Sequence, residues 1–92
     1  GALREQIVLD QDRIIVNDKL EPIHLALVEP LSVGFHAVRR GRVTKHDTVL
    51  VLGGGMIGVG AILGARAWGA RVIVSEVAEE KRAILQKLGN RI

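Results

Sequence analysis

Gly53, Gly55 and Gly58 stand at G-x-G-x-x-G spacing inside VLVLGGGMIGVGAILGARAWGARVIVSE, residues 49–76, and no other stretch restricts the fold as much. Residues 49–52 form a continuous apolar run rather than an alternating one, the pattern of a parallel strand covered on both faces. Behind the glycines, residues 57–68 read as a helix that ends at Gly69. A second apolar strand follows over 71–74, and AEEKRAILQKL then predicts a second helix with Ala83, Ile84 and Leu88 toward the core and Gly89 as its stop. The order is β-α-β-α, an α/β class.

Each glycine of the motif has a separate task. Gly53 permits the tight turn, Gly55 lets a pyrophosphate approach the backbone, and Gly58 lets the helix pack close to the sheet. The free N–H groups and dipole of the helix start supply the anion site without a basic side chain. The motif alone is weak, because a glycine-rich bend in a core has the same spelling. Its context is specific: a strand before, a helix after, and a second strand running into Glu76, 23 residues beyond Gly53. A carboxylate there accepts both ribose hydroxyls of adenosine and repels a 2′-phosphate, so the residues point to NAD rather than NADP. Arg71 precedes the second strand and is poorly placed for a 2′-phosphate. Lys81 and Arg82 follow Glu76 by five and six residues, within reach of an adenosine ribose for one of them; Lys81 admits two readings, a cofactor contact or a solvated helix face, and Met56 lines either the cofactor loop or the core. Gly60 and Gly64 read as places of close helix packing, since each otherwise costs about 1 kcal/mol relative to Ala. Gly54 has no evident task, and Trp68 reads as core or interface.

Upstream, QIVL (6–9) and RIIV (13–16) predict two short strands around a polar DQD turn. Pro22 and Pro30 fit the first turns of helices over 22–28 and 30–40, with Gly41 as the stop after AVRR. Two parallel strands with helices on one side leave the other sheet face and both edges bare. GNRI at residues 89–92 reads as a helix end leading into a third strand, so the chain is expected to be part of a longer protein. Charge and composition narrow the classes further. The net charge is +3 with one small basic knot at Arg39, Arg40 and Arg42, but one Phe, one Trp and no Tyr offer no stacking platform for nucleic acid. The absence of cysteine rules out a disulfide staple, a thiolate metal site and a cysteine nucleophile within these residues; it fits a reducing, cytoplasmic setting and is equally compatible with any other compartment. GALREQIVLD has no signal-peptide core, and the apolar run from Met56 is interrupted by glycines and ended by Arg66, too short to span a bilayer.

LALVEPLSVGFHAVRRGRV, DTVLVLGGGMIGVGAI and GARVIV together resemble the zinc-dependent medium-chain dehydrogenases, in their sorbitol-dehydrogenase-like branch acting on polyols and sugar acids. The likeness extends over nearly all 92 residues, and EPLSVGFHAVRRG is not demanded by dinucleotide binding in general. It implies that residues 1–21 are the C-terminal edge of a GroES-like catalytic domain, 22–41 the connecting helices, and 42–92 the first half of an NAD-binding Rossmann domain. It also implies that Glu29 approaches the catalytic zinc, directly or through water, and that Val33 and Ile57 flank the nicotinamide. Read from the residues alone, Glu29 is a helix-start carboxylate and Val33 and Ile57 are core. His36 is either an acid–base group or a domain-interface hydrogen-bond partner; His24 and His46 read as solvated. The family's main zinc ligands would lie upstream of this chain, Glu76 stands where Asp is more usual, and LGN replaces the common LGA. The resemblance implies a parent enzyme that moves a hydride between NAD(H) and a secondary alcohol of a small polyol, sugar or sugar acid, paired as a homodimer or homotetramer, with this segment alone inactive. Three other readings stand beside it: a zinc-independent, NADPH-dependent enone or quinone reductase, a methyltransferase holding S-adenosylmethionine in the glycine loop, and a non-catalytic structural fragment.

Overall fold

The computed structural model describes residues 2–89. After a single 3-10 turn at Gln11–Arg13 come α1 (Pro22–Leu25), α2 (Val28–Arg40), β1 (Thr48–Leu52), α3 (Met56–Ala67), β2 (Arg71–Ser75) and α4 (Glu79–Lys87). β1 and β2 pair in parallel with Thr48 opposite Arg71 and Leu52 opposite Ser75, which gives the expected β-α-β-α unit of Rossmann type. Thr44 and Asp47 set the entry to β1. One Asp47 oxygen accepts the Thr44 N–H at 2.7 Å and the Thr44 hydroxyl at 2.9 Å, and these bonds hold the carboxyl below the usual carboxylate range.

The alternation of strand side chains divides the sheet into a covered and an open face. Val51, Val72 and Val74 turn inward onto Ile62 and Ala65 of α3 and Leu85 of α4. Leu50, Leu52 and Ile73 turn the other way, and Leu52 is 77% exposed. The apolar run over 49–52 is therefore covered on one face within this chain, and the bare second face expected for two parallel strands is present.

α2 packs along α3 at a distance only glycine allows. A Cβ on Gly34 would run into the backbone of Ile57, Gly60 and Ala61, and a Cβ on Gly60 into the carbonyl of Leu31. At Gly64 the Cβ would sit 3.3 Å from Phe35 Cα. Gly60 and Gly64 thus serve helix packing, as their spacing indicates. α3 closes at Gly69, φ 81°, with Gly69 N–H donating to Arg66 and Ala70 N–H to Ala65, the paired bonds of a Schellman stop. The Arg66 guanidinium reaches across to the Leu88 carbonyl at 2.7 Å and so ties α3 to the end of α4.

Several expectations are corrected. Residues 6–9 and 13–16 form no strand; Val8 and Ile15 are 98% and 95% exposed. Only the turn between them forms, closed by Arg13 N–H on Asp10 O. A strand needs a ladder partner, and the two runs do not pair with each other or with β1 or β2. The helices cover 22–25 and 28–40 rather than 22–28 and 30–40, so Pro30 is the third residue of α2, still in the first turn where its missing N–H costs nothing. Gly41 ends α2 in right-handed conformation, and the left-handed residue is Arg42 at φ 51°. On α4 the core residue is Leu85; Ala83, Ile84 and Leu88 face outward. Trp68 also lies outside the core, beside α2. The third strand read into the chain end falls on 90–92, outside the described residues. Among the described residues no helix is long and apolar enough to cross a membrane.

Candidate functional site

The chain leaves β1 through Gly53, whose φ of 93° is a left-handed value that side chains resist. Its N–H donates to the Ser75 carbonyl at 2.8 Å, which holds the end of β1 against the end of β2. Gly58 sits over this turn so closely that a Cβ would strike the Gly53 carbonyl oxygen. Gly55, the N-cap of α3, differs from both: among the described residues nothing lies within 4 Å of the place its Cβ would occupy. No side chain caps α3, so its first-turn amides are available to an anion at the positive end of a 12-residue helix. Gly53, Gly55, Met56, Ile57 and Gly58, with Pro30 from α2, line one groove of about 600 Å³.

Glu76 closes the other side of the loop. One carboxylate oxygen accepts the Gly54 N–H at 2.6 Å and the other the Ala78 N–H at 2.9 Å. The bond from Ala78 and then that from Gly54 hold the carboxyl below its ordinary range; burial opposes them, and the positive charge of Lys81 adds a lesser pull in their direction. A carboxylate has about four acceptor positions, so two backbone donors leave it room for hydroxyl donors. Gly54 is the residue that sequence reading missed. Its amide reaches Glu76, and a Cβ there would collide with Leu85 and the Glu76 carboxylate. The motif treats position 54 as free, and only the third consecutive glycine in GGG hints that it is not.

Of the other expected residues, only Met56 and Ile57 are gathered here. Met56 and Ile57 are exposed on the groove rather than part of the core. Val33 lines a separate groove of about 940 Å³ along α2 with Leu31, Phe35, His36 and Trp68. Lys81 is exposed on α4 and acts on Glu76 through its charge. Glu29 is exposed in the first turn of α2, where its backbone carbonyl accepts the Ser32 hydroxyl at 2.7 Å. His24 and His46 are exposed, as read from the sequence. Among the described residues no group of three or more His, Cys, Asp or Glu side chains is placed to hold a metal. A structural or catalytic zinc takes at least three protein ligands, so Glu29 does not by itself make a zinc site.

The chain is 44% identical over 91 residues to (R,R)-butanediol dehydrogenase of Saccharomyces cerevisiae, covering 97% of this chain and 24% of that protein. It is 46% identical over 91 residues to L-idonate 5-dehydrogenase of Vitis vinifera and 40% identical over 93 residues to sorbitol dehydrogenase of Arabidopsis thaliana, each match covering 97% of this chain and 25% of the relative. The chain thus spans about a quarter of the length of these relatives. Residues 28–92, which begin with the first residue of α2, match the family model described as alanine dehydrogenase/PNT, C-terminal domain. With the glycine turn, the parallel crossover and this match together, the chain belongs to the alanine dehydrogenase/PNT C-terminal domain family.

Proposed function

We propose that this chain is the first half of the NAD-binding domain of a zinc-dependent dehydrogenase that oxidises a secondary alcohol of a small polyol, sugar or sugar acid. Its relatives' names, butanediol, idonate and sorbitol dehydrogenases, support that substrate class. In this reading residues 1–21 are the edge of a GroES-like catalytic domain, 22–41 the connecting helices and 42–92 the Rossmann half. The parent is a cytoplasmic homodimer or homotetramer, and the segment alone is inactive.

The observation that carries the reading is the open position at Gly55 beside the uncapped start of α3, with Glu76 fixed across the loop. These residues fit a dinucleotide. The amides of the first turn of α3 hold the pyrophosphate, and Gly55 offers it space to come against the backbone. Glu76 accepts the adenosine ribose hydroxyls with the acceptor positions left by Gly54 and Ala78, while its charge repels a 2′-phosphate. Lys81, exposed on α4 with its charge acting on Glu76, is assigned to the same cofactor. Met56 and Ile57 border the groove, with Ile57 and Val33 flanking the nicotinamide. Bound NAD supplies the hydride acceptor; the chain's part is to hold and orient it, a matter of position and not of proton transfer. Glu29 stands close to the zinc in this reading, but the described residues do not assemble a zinc site, and no step is assigned to it. NAD and NADP titration of the full-length protein and its Glu76→Arg variant tests the assignment. The variant loses NAD affinity by roughly tenfold or more and gains relative preference for NADP, as expected when charge-assisted hydrogen bonds are removed and the local charge is reversed. Unchanged preference counts against Glu76 as the ribose partner.

A further inference from the structure

We propose, resting on the dinucleotide reading above, that Arg82 is a positioning residue for cofactor selection: its guanidinium fixes the turn that carries Glu76 to the glycine loop. Arg82 lies one turn into α4 and is partly buried. Its Nη1 donates to the Val77 carbonyl at 2.6 Å and to the Glu76 carbonyl at 3.0 Å. Among the described residues no backbone N–H donates to either oxygen, so the guanidinium satisfies two consecutive carbonyls that the turn leaves open. One nitrogen with two hydrogens in a rigid plane suits two neighbouring acceptors, which a flexible ammonium holds less firmly.

The consequence runs through the backbone of Glu76. Arg82 anchors residues 76–77 from α4, Ala78 N–H holds one Glu76 oxygen, and the other oxygen holds Gly54 N–H. The ribose-facing acid and the phosphate-facing loop are thereby joined in one hydrogen-bonded chain that ends on Arg82. Lys81 and Arg82, adjacent in sequence, therefore do different work: Lys81 acts on the Glu76 carboxylate through charge, and Arg82 acts on its main chain. Arg82 Nη1 is committed to the two carbonyls, so the guanidinium is tethered to the turn behind Glu76 rather than free to swing over the loop.

The test uses the full-length protein with Arg82→Ala, Arg82→Gln and Arg82→Lys, read by steady-state kinetics with NAD and NADP, thermal unfolding, and amide hydrogen exchange at Gly54 and Ala78. Arg82→Ala is expected to raise KM for NAD by about tenfold, the scale of a lost charge-assisted hydrogen bond, while kcat stays within about twofold. Its discrimination between NAD and NADP narrows, and exchange at Gly54 and Ala78 quickens. Arg82→Lys falls between it and wild type, and Arg82→Gln carries the same reading if the Ala variant does not fold. Wild-type KM and exchange in both the Ala and Gln variants overturn the proposal. So does a parallel fall of kcat and thermal stability with the NAD-to-NADP ratio unmoved, which marks a merely structural residue. Wild-type protein that binds no NAD overturns the dinucleotide reading and this one together. NAD binding that Glu76→Gln weakens and neither Arg82→Ala nor Arg82→Gln affects overturns this one alone.

Discussion

Residues 6–16 and residues 48–75 both contain short runs of Val, Ile and Leu, yet one stretch stays extended and unpaired while the other forms a sheet. In the second stretch the two runs are joined by a helix long enough for a parallel crossover, and each strand finds its ladder partner within the chain. In the first stretch the 3-10 turn at Gln11–Arg13 forms but the flanking runs find no ladder partner among the described residues, and Val8 and Ile15 stand in solvent. β-propensity describes fitness for a half-buried pleated surface, and it has no effect where the partner surface is absent. The open face of β1 and β2, carrying Leu50, Leu52 and Ile73, shows the same condition on a smaller scale.

The largest blow to that contrast falls on the ordered region. Gly58→Val drives a side chain onto the Gly53 carbonyl, a backbone atom that cannot step aside, and is expected to cost about 3 kcal/mol or more in urea unfolding. A loss under about 1 kcal/mol would mean that the turn is looser than its geometry indicates. Acidification has an intermediate effect. Glu76 titrates below its ordinary value in the folded chain, so the hold it exerts on Gly54 and Ala78 is complete above the unfolded carboxylate range and is lost as pH falls through the lowered value. Amide exchange at Gly54 and Ala78, corrected for intrinsic rates, therefore stays slow down to the ordinary carboxylate range and quickens only below it; Glu76→Gln removes that dependence. The smallest effect belongs to the unpaired region. Val8→Asp and Ile15→Asp are expected to change the stability of the 92-residue chain by no more than about 0.5 kcal/mol, since neither side chain is buried. A substantial loss would show that the segment packs after all.

What was legible in the sequence is what depends on the local chain. Gly53, Gly58 and Gly69 answer to a backbone conformation or an approach a few residues away, and their positions alone placed the turn, the close helix start and the helix stop. α4 was legible as a helix but not in its rotation. Ala83, Ile84 and Leu85 are consecutive apolar residues, so periodicity leaves the inward one undecided. Packing against the glycine loop selects Leu85, at 1% exposure, over Ile84 at 61%. The Glu76 position followed from strand spacing, whereas its bond to Gly54 joins residues 22 apart and arises only when β2 lies beside β1. Arg82 was visible as a nearby cation, and its bonds to the Glu76 and Val77 carbonyls belong to the folded turn. Glu29 and Val33 were marked by resemblance, and the described residues do not bring either into the glycine-loop groove.

The dinucleotide reading stands on a diphosphate entering the open corner at Gly55. Calorimetric titration of NAD into the full-length protein and its Gly55→Val variant decides this, because the variant fills a space that no atom of the described residues uses. Saturable binding by the wild type is expected, with a loss of about 3 kcal/mol, on the order of a hundredfold in Kd, in a variant that keeps its fold and loses no more than about 1 kcal/mol of stability at the N-cap. Equal NAD affinity in the two proteins would contradict it.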